Sequence, residues 1–265
     1  MTLILKLGGS VITDKSSETP KVDKENLERL AKEIAGALKA KPQKLVLVHG
    51  AGSYGHQIVK KTGIDKGISK PEQLIAFAET QRLQNELNSI VTKELIKHEI
   101  PAIPCQASAS AVMKKGRLTK LDYETVKNLL NLGMVPVLYG VPAYDTEQGC
   151  SILSGDQIAP FLAKHLNAEK VIHGTNVNGV FTADPNKNAN AEQIPLITRQ
   201  NFEQVKKALA GSTHVDVTGG MLGKVTELLQ AAENGVESQI VNALEPGAVR
   251  KALEGQQNGT IIKAE

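Results

Sequence analysis

The chain has 265 residues, 41% hydrophobic and 22% charged, and 31 Lys+Arg against 28 Asp+Glu leave a formal charge of only +3. That excess, with 3% aromatics and no Trp, argues against a nucleic-acid binder, which needs a basic face or a stacking platform. Two cysteines make neither a disulfide framework nor a four-cysteine zinc site, and the opening MTLILKLGG is too short for a signal peptide or a membrane span, so a soluble, cytoplasmic α/β protein is expected.

Residues 2–7 (TLILKL) have almost no polar alternation, the pattern of a strand buried on both faces of a parallel sheet. Residues 23–40 read as a helix, with Leu27, Leu30, Ala31 and Ile34 on one face and Asp23 as N-cap. A strand at 44–49 runs into the glycine-rich turn 50–55, and a long helix spans 71–98. A short strand at 100–104, a helix at 122–132 stopped by Gly133, and a strand at 135–139 follow. The second half repeats the alternation, with helices at 157–166, 201–209, 221–234 and 247–253. Strands fall at 170–174, 237–241 and 260–263, and a short hairpin arm at 179–182. Strands alternating with helices predict right-handed βαβ crossovers and a three-layer αβα sandwich with a mainly parallel central sheet. The polar stretch 146–151 (TEQGCS) is the expected lobe boundary, dividing 1–148 from 149–265 over one continuous sheet.

Five segments carry chemistry. Lys6 sits inside an apolar strand that ends in Gly8-Gly9-Ser10, with Lys15 shortly after; glycines let backbone N–H groups approach an anion closely. Residues 50–55 (GAGSYG) match G-x-G-x-x-G, but the turn follows the second strand and no acidic residue ends the next one, so a phosphate turn fits as well as a dinucleotide site. His56, directly after that turn, is a candidate phosphate donor. Ser154-Gly155-Asp156-Gln157 opens a helix, where Ser or Asp ordinarily serves as N-cap. The fourth segment is GTNVNGVFTADP at 174–185, and the fifth is VDVTGGMLGK, ending at Lys224. Lys224 stands in the first turn of its helix, against the macrodipole, a conflict that an anion at the helix start would remove. The chain has no P-loop motif, no G-x-S-x-G and no H-E-x-x-H. Cys105 and Cys150 have neither ligand-like nor redox-like spacing.

In this order the five segments resemble the amino acid kinase superfamily over nearly the whole chain. LKLGGSVITDK, VHGAGSYGH, SGDQ and VDVTGGMLGK are most similar to its isopentenyl phosphate kinase branch, with the fosfomycin kinases as near relatives sharing the His. The resemblance implies an ATP-dependent kinase that phosphorylates isopentenyl phosphate to isopentenyl diphosphate. It implies acceptor binding in the N-terminal lobe, ATP binding in the C-terminal lobe, and a homodimer. It assigns the reaction to Lys6, Lys15, His56, Asp156 and Lys224, with Asp156 organising the lysines. Acceptor contacts fall on Gly8, Gly9, Ala51, Gly52, Gly55, His56 and Gly155. Nucleotide contacts fall on Lys6, Gly8, Ser10, Thr175, Asn176, Gly179, Phe181, Asp184, Gly220 and Lys224. Asn176 and Asn178 depart from the acidic residues common in relatives. No side-chain metal ligands are expected, and Mg²⁺ would arrive with ATP. A prenyl tail needs an apolar wall, for which Phe77 and Ala78 on the long helix are candidates by position. The scarcity of aromatics predicts that this wall is mainly aliphatic.

A phosphate monoester has a second pKa of about 6, so near neutrality it is already a dianionic nucleophile and needs no general base. The difficulty is repulsion from the ATP triphosphate, and fixed cations and aligned N–H donors are the remedy. A fosfomycin-type or other small-molecule kinase of the same superfamily, a non-catalytic nucleotide or oxyanion binder on the same fold, and a dehydrogenase using the GAGSYG turn are the competing readings; fold alone does not choose among them.

Overall fold

The computed structural model describes every residue except 15, 16, 18, 186 and 211–219. Its frame is an eight-stranded sheet. In chain order the strands that enter it are β1 (Thr2–Leu7), β2 (Lys44–His49) and β3 (Ala102–Pro104), then, after two strands outside it, β6 (Val135–Tyr139). The rest are β9 (Lys170–Thr175), β12 (Leu196–Ile197), β13 (Glu237–Asn242) and β14 (Thr260–Ile262). They lie in the order β12-β14-β13-β9-β1-β2-β6-β3. From β13 to β3 all neighbours are parallel, while β14 runs antiparallel to β13 and carries β12 parallel to itself.

Because side chains alternate along a strand, the apolar runs feed two cores. Leu3, Leu5 and Leu7 of β1 pack with Leu45 and Leu47 on one face. That face is covered by α2 (Lys24–Ala40), α4 (Glu72–Lys97) and α9 (Ala248–Leu253), through side chains such as Leu30, Leu87 and Val249. Ile4, Val46, Val48 and Val171 point the other way. They meet α5 (Glu124–Asn131), α6 (Gly155–His165), α7 (Phe202–Ala210) and α8 (Gly220–Glu233). The three-layer αβα sandwich is thus present, and truncating a fully buried leucine such as Leu30 or Leu87 to Ala would cost about 2–5 kcal/mol. Asp23 caps α2, accepting from Asn26 N at 3.0 Å, and Gly133 (φ +89°) and Gly235 (φ +82°) follow the ends of α5 and α8.

Two regions differ from the sequence-based expectation. Residues 105–121 carry no expected element, yet β4 (Val112–Lys114) and β5 (Arg117–Lys120) form a hairpin there. They join β7 (Val141–Asp145) and β8 (Gly149–Leu153) in a second sheet of order β5-β4-β7-β8. The expected boundary at 146–151 is the turn of the β7–β8 hairpin and the start of β8, with Asp145 opposite Gly149. Asp145 explains why polar residues collect there. Its buried carboxylate accepts from Gly116 N (2.8 Å), Glu147 N (2.9 Å) and Ser151 Oγ (3.0 Å), tying two turns together. Burial pushes its pKa up, but these donors outweigh that and hold it at about 2. The chain crosses between the halves of the large sheet through α6, after Leu153. Four more small elements have no sequence-based expectation: α1 (Gly9–Ile12), α3 (His56–Thr62), the edge strand β12, and the strand β11 (Gln193–Ile194) that completes the expected hairpin arm with β10 (Val180–Phe181).

Candidate active site

A cleft of about 810 Å³ opens where the parallel strands end, the usual ligand position in an open α/β sheet. Gly8 follows β1, Gly50 follows β2, Gly140 follows β6, Thr175 closes β9, and all four line it.

The two glycine turns touch backbone to backbone. A Cβ on Gly9 would come within 2.6 Å of Gly52 Cα, and one on Gly50 within 2.6 Å of Gly9 N, so no side chain fits at either position. Thr13 stitches the turns: its hydroxyl donates to Gly9 O (2.7 Å) and accepts from Ser53 N (3.0 Å). The N–H of Gly8 is already used on Gly174 O at 2.8 Å, so any contact it makes with a phosphate is not an N–H bond. Gly9 and Ser10 open α1, and their N–H groups have no i−4 acceptor within the helix.

His49, fully buried at the end of β2, fixes the second turn. Burial drops its pKa to about 4, so the ring is neutral and only one nitrogen carries hydrogen. Nδ1 lies 3.1 Å from Gly50 O and Nε2 3.1 Å from Asn88 Oδ1, so the neutral ring donates its one N–H to one of these two acceptors. His56, half-buried at the start of α3, opens into the cleft just beyond the turn.

Between the two ends of the cleft lies a buried ionic cluster. Lys6 shares the parity of Ile4 and so points toward α6, where its Nζ is 2.8 Å from Asp156 Oδ1. Lys224 of α8 reaches the same oxygen at 2.8 Å. Burial pushes the Asp156 pKa up, but Lys224 and then Lys6 outweigh it and hold the carboxyl well below the usual carboxylate range. Burial lowers the Lys224 pKa, with Asp156 opposing and Lys6 adding to the fall. Lys224 does have an anion near its helix start, as its position demanded, but the anion is Asp156. Lys6, Asp156 and Lys224 are all buried, so two cations on one carboxylate leave a net positive charge at the cleft wall that its surroundings screen weakly. His173, beside Lys6 in register, has Nδ1 3.5 Å from Asp156 Oδ1 and is kept neutral by burial.

The other end of the cleft is lined by Thr175, Asn176, Gly179, Phe181, Asp184 and Gly220. The expected site residues are therefore brought to one cleft except Lys15, Phe77 and Ala78. Lys15 lies outside the described residues, as do residues 216–219 of the fifth motif. Phe77 does not line the cleft. It packs behind the wall against a cluster containing Val59 and Ile152, which do line it, while Ala78 faces solvent. A helix buries only one stripe, and Thr80 and Gln84, one and two turns on, meet the cleft instead. Sequence reasoning missed Thr13, His49, His173 and Gln84. For His173 a signal existed: it stands in an apolar strand, two residues from Val171, as Lys6 stands two residues from Ile4.

The model of the amino acid kinase family matches residues 1–242. The chain belongs to that family. It is 42% identical over 267 residues to the isopentenyl phosphate kinase of Methanothermobacter thermautotrophicus, covering 98% of both chains. It is 33% identical to the isopentenyl phosphate kinase of Methanocaldococcus jannaschii, over 99% of this chain and 98% of that one. An X-ray structure of an isopentenyl phosphate kinase superposes with a TM-score of 0.87 at 40% identity, covering 99% of this chain and 100% of that one. The product complex of the T. acidophilum isopentenyl phosphate kinase, at 24% identity and a TM-score of 0.80 over 99% of this chain and 100% of that one, shares the fold. Membership of a kinase family gives the cleft its chemistry, phosphoryl transfer. Among the described residues no helix is long and apolar enough to cross a membrane.

Proposed function

We propose that this kinase transfers the γ-phosphoryl group of ATP to isopentenyl phosphate, giving isopentenyl diphosphate and ADP. The observation that carries this is one continuous cleft joining the His56 turn to the Thr175–Gly220 end, with the Lys6–Asp156–Lys224 cluster between them. An oxygen of the acceptor dianion attacks the γ-phosphorus. The new P–O bond forms as the bond to the β,γ-bridging oxygen breaks, and that oxygen leaves with ADP. No proton has to be removed, which suits a cleft whose acceptor turn carries a donor, His56, rather than a carboxylate. Lys6 and Lys224 face the charge that builds on the transferring group, and Asp156 keeps them 2.8 Å from one oxygen so that neither must reorganise during transfer. Lys15 joins them on the resemblance of its motif.

The acceptor lies on the 1–148 side and ATP on the 149–265 side. Val59, Val141, Pro142 and Ile152 offer the tail an aliphatic wall. Asp156 is engaged by lysines, so Mg²⁺ fits this cleft as a partner of the nucleotide phosphates, whose charge it neutralises, better than as an ion in a protein cage. On the resemblance we also expect a cytoplasmic homodimer, which light scattering on the eluting protein would check.

A coupled ADP-release assay across isopentenyl phosphate, dimethylallyl phosphate, longer prenyl phosphates, fosfomycin, acetylglutamate and UMP tests the substrate. Preference for isopentenyl phosphate is expected; no turnover with it beside good turnover of fosfomycin or acetylglutamate would overturn the proposal. His56→Ala should raise KM for the acceptor or lower kcat by roughly 10²–10³, as for one lost oxyanion donor, and leave ATP binding largely intact.

A further inference from the structure

Gln84 has a fully buried carboxamide, and neither Oε1 nor Nε2 finds a hydrogen-bond partner among the described residues. Native proteins rarely keep such a group unless a ligand or water completes it. Its neighbours along α4 make it stand out. At four-residue spacing, Thr80, Gln84, Asn88 and Thr92 form a buried polar stripe. Thr80 Oγ1 donates to Ala76 O (2.7 Å), Thr92 Oγ1 donates to Asn88 O (2.8 Å), and Asn88 pairs with His49 (3.1 Å). Gln84 alone in the stripe is left open, and it lines the cleft.

Its place there is specific. A Cβ on Gly55 would come within 2.6 Å of Gln84 Nε2, so the amide rests against the glycine turn one residue before His56. A hydrocarbon tail cannot satisfy an amide, whereas an anionic oxygen can. We propose that Gln84 is an acceptor-binding residue whose Nε2–H donates to a phosphate oxygen of the acceptor, beside His56. The phosphate end of the acceptor, not its tail, then occupies this stretch of α4, and the aliphatic wall at Val141, Pro142 and Ile152 takes the tail. The inference rests on the proposed function.

Gln84→Met keeps the length of the side chain and removes both polar atoms. Losing a hydrogen bond to a charged group should raise KM for isopentenyl phosphate roughly 10- to 100-fold, with KM for ATP within about twofold. Gln84→Glu keeps the shape and adds a carboxylate beside the dianion. Its acceptor KM should rise further, and the rise should shrink as the pH is lowered and the carboxyl takes a proton. If Gln84→Met fails to fold, the pH dependence of Gln84→Glu decides alone. A Met variant with unchanged or lower acceptor KM, or a Glu variant with a pH profile parallel to wild type, would make Gln84 part of the tail wall and overturn the inference. Wild-type protein that fails to turn over isopentenyl phosphate would instead refute the proposed function, and this inference with it.

Discussion

Asp156→Asn probes the cluster directly. The substitution keeps shape and removes the carboxylate that lies 2.8 Å from both Lys6 and Lys224. Removing one partner of a buried ionic set typically costs about 3–5 kcal/mol, because the remaining charge is left uncompensated. At roughly 2–4 °C per kcal/mol for a chain of this size, Tm at pH 7 should fall by roughly 6–20 °C. The pH dependence should change in a definite sense. In the wild type the Asp156 pKa lies below its unfolded value, so its contribution is complete above about pH 4 and is lost as pH falls through the folded value. The variant lacks that acid limb. Lys224 is already depressed by burial, and without Asp156 it falls further. A lysine depressed in the folded state binds protons more weakly there than in the unfolded chain. Stability therefore rises with pH from the folded value up to about 10.4. Asp156→Asn should thus recover Tm between pH 7 and 9 more steeply than wild type, while kcat at pH 7 falls roughly 10²–10³-fold. Thermal melts across pH, read beside steady-state kinetics, check both. A variant with wild-type Tm, a parallel pH profile and kcat within about twofold would refute the role given to this carboxylate.

Three further outcomes are expected. Thr13→Val removes the hydroxyl that bridges Gly9 O and Ser53 N, so a buried donor is left unpaired; urea melts should show a loss of about 1–3 kcal/mol, and Thr13→Ser should restore most of it. His49 is held at about 4 by burial against about 6.5 unfolded, so the unfolded chain binds more protons between these values. Stability should fall by up to about 3 kcal/mol as pH drops through that window, and His49→Gln should flatten the slope. Ile152→Ala opens the cleft wall itself, whereas Phe77→Ala opens a cluster behind it, so turnover of longer prenyl phosphates relative to isopentenyl phosphate should rise more in the first variant. Equal or reversed ratios would place the tail elsewhere.

Much of the fold is legible in local sequence because its signals are local. The apolar runs of β1, interrupted only by Lys6, and of β2 announce strands covered on both faces. Asp23 and Gly133 mark helix ends through backbone chemistry confined to one turn. The second sheet is not legible in this way. β4 and β5 are only three and four residues long, β5 is mostly polar, and Val112 and Met113 flank a shift of register. The turn at 146–148 reads as a lobe boundary because its organiser, Asp145, draws donors from residues 29 and 30 positions away as well as from its own loop.

The site divides along the same line. Glycine turns, the histidine after one of them and the misplaced charge of Lys224 are features of sequence, and they point to a held anion before any coordinates exist. Local sequence is enough to place Lys6 in a buried strand and Lys224 against its helix dipole. Long-range packing brings to both of them one carboxylate, 150 residues from the first and 68 from the second. It also decided that Phe77 packs behind the cleft while Gln84 meets it. Parity along a strand and the stripe of a helix say which residues are buried. What each meets there depends on where distant segments pack, and that is set by the whole core.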